Sequence, residues 1–360
     1  MKLLDKYLIG KFFKTFLFVV LLLNVVVCVI DYTEKSDDFI KHNLSFNEIF
    51  FDYYVNLVIH WMSTLSPISV FISVVFMTAR LAAHSEVIAI LSNGVSFLRF
   101  LRPYVVGALI IGGAVFLLVG WIVPISSKEK VSFEVKYLKR PFFFSERDIH
   151  IRVDDSTYMY IESYNNRIKR GYKATIETIQ GTDLKEKITA PRIEWDSASQ
   201  EWEMDRFVSL KFNEDGTQTM SKGKNLKRSL NIDPKYFESK YKLEETLTIK
   251  ELNDYIDMEI QRGNSASISV YQNAIHERYA YPFAIIILTV MGVIVSARKS
   301  RRGSGFLIAM GFVLAFVYIV LVIMSRSIGQ AGIINPMISA WMPNILFLAI
   351  TFILYFKVPK

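Results

Sequence analysis

Three long apolar stretches, a long polar interruption from about Ile125 to Asn273, and three further apolar stretches make up this chain. The hydrocarbon layer of a bilayer is about 30 Å thick and a helix rises about 1.5 Å per residue, so about 20 mostly apolar residues cross it. Six segments meet that requirement: Phe12 to Tyr32, Val55 to Arg80, Pro103 to Ile125, Tyr279 to Ala297, Gly305 to Met324 and Met337 to Phe356. The pattern predicts an integral membrane protein with one soluble domain inserted halfway. The second segment is the least uniform. It holds His60, Ser63, Thr64, Ser66 and Ser69, and Pro67 removes a backbone donor, so it is expected to kink and to face other helices.

Basic residues in the short segments set the expected orientation. Lys2, Lys6, Lys11, Lys14, Arg80, Arg99, Arg102, Arg298, Lys299, Arg301, Arg302, Lys357 and Lys360 fall on one side, against Lys35, Lys41 and Arg326 on the other. Both termini are therefore expected in the cytoplasm and the large domain outside. The net charge of +8 points the same way. Residues 126–274 hold 25 basic and 25 acidic residues, so the whole excess belongs to the membrane part. It is a topology signal, and no nucleic-acid partner is implied. The first apolar run is too long for a secretory signal, and the single cysteine, Cys28, excludes an intrachain disulfide and reads as a packing residue.

The inserted domain reads as all-β. Asp148 to Val153, Thr157 to Tyr164, Tyr172 to Ile179, Ile188 to Trp195, Glu201 to Asp205 and Val208 to Phe212 alternate in part, with turn formers between them. A sandwich, a jelly roll or an open barrel-like sheet all suit such strands. Thr248-Ile249-Lys250-Glu251 is a capping box, predicting a helix that stops near Gly263, and a second helix from Ser269 leads into the fourth span. The expected division is spans one to three over 1–125, the β domain over 126–246, a helical connection over 247–273 and spans four to six over 274–360.

Motifs for chemistry are few. The chain has no phosphate loop, so it does not run an ATPase cycle by itself, and no Gly-x-Ser-x-Gly elbow. Its five histidines are scattered, and Ala280 stands where the helix bearing His276-Glu277 would need a second zinc ligand. No acidic residue lies near the middle of a span, which argues against a proton relay. A non-catalytic role without cofactor or metal is expected. One segment facing the termini stands out. Within the segment from Arg80 to Pro103, residues 81–98 carry Glu86, Val87, Ile88 and Leu91 and a break at Gly94, and the cations Arg99 and Arg102 follow. The segment suits either an interfacial helix on the headgroups or a coupling helix whose Val87, Ile88 and Leu91 enter a partner's groove while Glu86 meets a cation.

Several stretches carry a resemblance. Leu4-Asp5-Lys6-Tyr7 with Lys11, Ser85-Glu86 with Asn93-Gly94, Trp121-Ile122-Val123-Pro124, and Ile334-Asn335-Pro336 with Met342-Pro343 occur in the order and spacing of the LptF/LptG family, and the first and last lean toward LptG. The chain resembles that family over essentially its whole length. The resemblance implies a six-helix membrane bundle (3 + 3) with an inserted periplasmic jellyroll-like β domain, acting in the bacterial inner membrane as the non-enzymatic permease subunit of a lipopolysaccharide exporter. It implies a cytoplasmic LptB-like ATPase dimer that binds the ATP and holds the coupling helix, a second LptF/LptG-type permease, and an LptC-like periplasmic protein that receives the lipid from the apolar interior of the β domain. Head-group contacts are expected at the outer ends of the spans, from Lys35, Lys41, Arg278 and Arg326; a lone interfacial cation otherwise snorkels. A permease of another lipid- or lipoprotein-handling ABC system, and a membrane scaffold or receptor with a β ectodomain, are the competing readings.

Overall fold

The computed structural model describes residues 3–140, 142–213, 215–263, 268–297 and 304–356. Of the basic residues used for orientation, Lys2, Arg298, Lys299, Arg301, Arg302, Lys357 and Lys360 lie outside them. The chain divides into a helical unit (Met1–Leu138, Lys242–Asn253, Ser269–Lys360) and a β unit (Lys139–Tyr241, Asp254–Ile268).

Among the described residues, six helices of the first unit are long and apolar enough to cross a membrane. Helix α1 runs over Leu3–Lys41. The second span is made of α2 (Val55–Thr64) and α3 (Ser66–Ala83), preceded by a π-helical turn at Glu48–Tyr54. At the expected kink the helix is interrupted for one residue, Leu65, which keeps right-handed backbone angles and its hydrogen bond to Trp61 O at 2.8 Å. Pro67 lies in the first turn of α3, where its missing donor is harmless. Around the break the Ser63 and Thr64 hydroxyls donate back to the carbonyl of His60, at 2.7 and 3.0 Å. After the short α4 (Glu86–Ser92), α5 (Phe97–Leu117) continues through a π turn into α6 (Val123–Phe133) and ends at Leu138, well beyond Ile125. The last three spans are α9 (Ile268–Ser296), α10 (Ser304–Gln330) and α11 (Pro336–Phe356).

Helix α3 is buried over most of its surface, its serines included, and lies in the interior of the bundle. Val70, Val74, Met77 and Leu81 face a cluster shared with α1, α5 and α9; Phe71 and Val75, one stripe round, face a second cluster shared with α9, α10 and α11. Close approach depends on small residues: a side chain at Gly311 of α10 would meet Val75 Cγ1 at 2.7 Å. Polar bonds tie the last three spans. Tyr318 donates to Asn344 Oδ1 at 3.0 Å, and Asn344 Nδ2 donates to the carbonyl of Ala280 at 2.9 Å.

The β unit contains one six-stranded antiparallel sheet in the order β1 (Arg147–Arg152), β2 (Thr157–Asn165), β3 (Arg170–Gln180), β4 (Asp183–Asp196), β5 (Glu201–Phe212), β6 (Gln218–Arg228). Each strand pairs with the next in sequence, so the connectivity is a meander. Register lines up an apolar row: Ile151, Met159, Ile176 and Ile188 are successive partners, and Ile149, Ile161, Ala174 and Ala190 form the row beside it. Two expected strands, Glu201 to Asp205 and Val208 to Phe212, are one strand. Pairing of β4 with β5 lapses between Thr189↔Val208 and Glu194↔Glu203, where Pro191 has no N–H to give, and the buried positions change parity from Met204 to Ser209. Strand β6 was not expected from alternation. It is polar and mostly exposed, and Lys222, Lys224 and Lys227 suit it to a sheet edge.

Between the sheet and the fourth span lie α7 (Leu243–Thr246) and α8 (Ile249–Gln261). The capping box at the start of α8 is formed. The Thr248 amide donates to Glu251 Oε2 at 2.7 Å and the Glu251 amide to Thr248 Oγ1 at 3.3 Å. The helix ends in a turn at Gly263, whose φ of +78° favours glycine.

Trp202 closes the core of the β unit. It is fully buried, and its indole Nε1 donates to the carbonyl of Ile232 at 2.8 Å. Trp202→Phe keeps the ring packing but strands that carbonyl, so it is expected to destabilise the β unit by about 1–3 kcal/mol. Trp202→Ala is expected to cost about 3–5 kcal/mol. Pulse proteolysis of the full-length chain across a urea series measures both; coincident midpoints for wild type and Trp202→Phe would show that the bond contributes nothing.

Candidate functional site

The charged residues of the helical unit gather at two ends of the bundle. At the end that holds the start of α1, Asp5 pairs with Arg99 at 2.8 Å, the Tyr7 hydroxyl donates to Glu86 Oε2 at 3.3 Å, and Lys11 donates to the Tyr7 oxygen at 2.9 Å. These bonds fix α4 against α1 and α5. Its exposure corrects the expected docking face. Val87 is 1% exposed and packs into the bundle core, with Leu91 partly buried beside it. Ile88, one residue on, is 46% exposed. Residues four apart share a helix face and adjacent ones do not, so Val87 with Leu91 belongs to the protein's own core and Ile88 is the apolar side chain left for a partner. Gly94 is exposed with φ +82°, which ends the segment in a conformation that disfavours any other residue.

At the other end, α1, α2, α6, α7, α9 and α10 enclose a cavity of about 370 Å³. Five carboxylates (Asp31, Glu134, Glu244, Glu245, Glu277) and five cations (Lys35, Lys130, Lys242, Arg278, Arg326) line it, so pairing rather than net charge decides what it can bind. Lys35 pairs with Asp31 at 2.5 Å, one turn back on α1, and also donates to the Tyr53 hydroxyl. Lys130, almost fully buried on α6, pairs with Glu245 of α7 at 3.0 Å. Lys242 pairs with Glu134 at 3.1 Å. Arg326 of α10 grips both oxygens of Glu277 on α9, with Nε at 2.7 Å from Oε1 and 2.9 Å from Oε2, and Asn273 donates to the same carboxylate at 2.8 Å.

Arg278 is different. It is 6% exposed, donates from Nη2 to the backbone carbonyl of Glu244 at 2.9 Å, and its buried Nη1 has no partner among the described residues. Leaving a buried charged donor unsatisfied costs about 1–3 kcal/mol or more, and an arrangement of that kind calls for an explanation. A guanidinium that lines a cavity with one of its donors unused is suited to an oxygen anion, above all a phosphate.

The two carboxylates of α7 sit in opposite electrostatic surroundings. Burial pushes the Glu244 carboxyl above the usual range. Burial also works to raise that of Glu245, but the neighbouring His60, Lys130 and Lys242 together hold it below the usual range.

Of the four cations expected at the outer ends, Lys35, Arg278 and Arg326 line this cavity, while Lys41, the last residue of α1, is exposed and does not. Sequence reasoning missed Lys130, Glu134, Lys242, Glu244, Glu245 and Glu277. One signal was available: Lys130 and Glu134 are four apart, and with Val123 and Val131 they continue the helical pattern of the third span past the boundary drawn at Ile125.

Compared with known proteins, the chain matches, over residues 6–357, the family described as lipopolysaccharide export system permease LptF/LptG. Comparison with curated protein sequences gives no match.

The Lys130–Glu245 pair predicts a pH response. A carboxyl held below its unfolded value contributes stability that is fully present above about pH 4.3 and is lost as pH falls through the folded value. Glu245→Gln is expected to cost about 2 kcal/mol near neutrality, less than the ~3–5 kcal/mol of a fully buried pair, because part of the Glu245 side chain reaches solvent. The gap in melting temperature between wild type and Glu245→Gln should stay constant from pH 7 to 5 and close as pH drops below about 4. A gap independent of pH would exclude the pair as its source.

Proposed function

Since this chain belongs to the LptF/LptG family of lipopolysaccharide export permeases, we propose that it pairs with a second permease of this type and takes its energy from a cytoplasmic LptB-like ATPase dimer. The ATPase holds α4 and drives the spans; the chamber at the far end of α1 receives the phosphorylated head group of the lipid, and an LptC-like protein accepts the lipid afterwards. Both termini lie in the cytoplasm on this reading, and the β unit in the periplasm of a bacterial cell.

The observation that supports the substrate half is the buried guanidinium of Arg278, a residue that lines the chamber of ion pairs, with Nη2 bonded to Glu244 O and Nη1 without a hydrogen-bond partner among the described residues. A phosphate there would complete the hydrogen bonding of Nη1, and Lys35 and Arg326 are close enough to share the chamber with it. Apolar side chains such as Leu17, Leu21, Val25 and Phe316 face outward from the spans, as contact with acyl chains demands. The observation that supports the coupling half is α4 itself. Ile88 and Gly94 are exposed while Val87 and Leu91 anchor the helix to α3 and α5, so a push on α4 is delivered to the bundle.

Co-expression with the ATPase and the second permease, followed by purification and mass spectrometry, tests the assembly. The expected outcome is a complex containing all three and lipopolysaccharide; a chain recovered alone and free of that lipid would refute it. Within the complex, Ile88→Asp is expected to reduce ATPase recovery by about tenfold, the scale of a lost interface anchor. Glu86→Lys is expected to leave the assembly folded and abolish ATP-driven lipid release, measured in proteoliposomes.

A further inference from the structure

Helix α7 carries acidic groups to the places an anionic ligand would occupy. Glu245 takes up Lys130, and the backbone carbonyl of Glu244 takes up one arm of Arg278. Lys242, immediately before α7, is tied to Glu134, so both ends of the segment are clamped to the spans. Building on the proposed head-group chamber, we propose that α7 is an internal stand-in for the substrate's phosphates: the Glu245 carboxylate and the Glu244 backbone carbonyl occupy the anion site when it is vacant, and a phosphorylated lipid head displaces them.

Three features support this reading. The contacts are of the kind a phosphate makes, oxygen acceptors on a buried lysine and a buried guanidinium. The segment is four residues long, with Lys242 before it in the left-handed region at φ +50° and an extended residue, Leu247, after it. Little helical structure is therefore lost when it moves. The guanidinium is also left incompletely satisfied by the carbonyl, its Nη1 having no partner among the described residues, so a phosphate has more to offer Arg278 than α7 does.

Displacement makes the apparent affinity equal to the intrinsic affinity reduced by the fraction of chains in which α7 is released. The segment then sets selectivity as well as occupancy. A lipid without phosphate meets no reward at Lys130 and Arg278 and leaves α7 in place; a phosphorylated one moves it. Because the chain passes through α7 on its way from the sheet to α8, occupancy of the chamber is registered in the segment that leads to the fourth span.

The test uses the full-length chain in nanodiscs with fluorescent lipopolysaccharide and its dephosphorylated counterpart as probes. Glu244→Gln/Glu245→Gln is expected to tighten binding of the phosphorylated probe by about tenfold or more and to leave the other unchanged, since the competing charge on Lys130 is removed while the Glu244 carbonyl on Arg278 is kept. Unchanged or weaker binding of the phosphorylated probe, or equal tightening for both probes, overturns the proposal. Lys130→Gln and Arg278→Gln serve the underlying reading. If they leave both affinities unchanged, the head-group chamber itself is wrong; if they weaken the phosphorylated probe while the double glutamine variant does nothing, the chamber stands and the stand-in falls. Should the double variant fail to fold, Thr246→Cys in a Cys28→Ser background reports on the native charges. Thr246 is buried in α7, and its modification by a thiol reagent is expected to speed up about tenfold with lipopolysaccharide and not with the dephosphorylated lipid. No acceleration overturns the proposal.

Discussion

Charges at the margin of a membrane bundle must find partners, because neither the hydrocarbon nor a packed core solvates them. That requirement organises the far end of this protein. Lys130 is nearly inaccessible and is tolerable there only because Glu245 reaches it; Arg326 and Glu277 hold α9 and α10 together with a fork of bonds; Lys35 leans on Asp31 within its own helix. Each pair ties two elements or stiffens one. Arg278 satisfies the rule only in part, through the carbonyl of Glu244, and its Nη1 has no partner among the described residues.

The apolar frame is a more ordinary construction. Helices α3 and α9 contribute to both core clusters, so the first three spans and the last three are not independent bundles set side by side. Close contacts at glycine, and the Tyr318–Asn344–Ala280 chain of hydrogen bonds, supply what the hydrophobic effect does not supply between helices already in lipid. A charged cavity at one end and a short exposed helix at the other are thus joined by a continuous packed interior.

Much of this was legible beforehand. Six bilayer-length segments and a sheet between the third and fourth follow from runs of apolar residues and from turn formers, because both depend on local pattern. Thr248 and Glu251 announced α8 and form the reciprocal bonds expected of them. Strand β6 escaped notice because an edge strand need not alternate, and its lysines read as loop. Val87 was assigned to the wrong surface because seven residues of helix do not reveal which stripe meets the bundle; the structure resolves it through the contacts of Leu91. The chamber was the least readable part. Lys130, Glu245 and Arg278 are separated by long stretches of chain, and only folding brings them to one cavity.

The order of the sheet has a final implication. A meander whose first and last strands stay unpaired can be extended at two borders only, and these differ in character. The β6 border presents Lys222, Lys224 and Lys227, whose mutual repulsion discourages a copy of itself from adding there. The β1 border alternates Ile149 and Ile151, which belong to the core, with His150 and Arg152 on the other face. The sheet therefore ends in two unlike borders, one lined by lysines and the other with every second side chain committed to the interior.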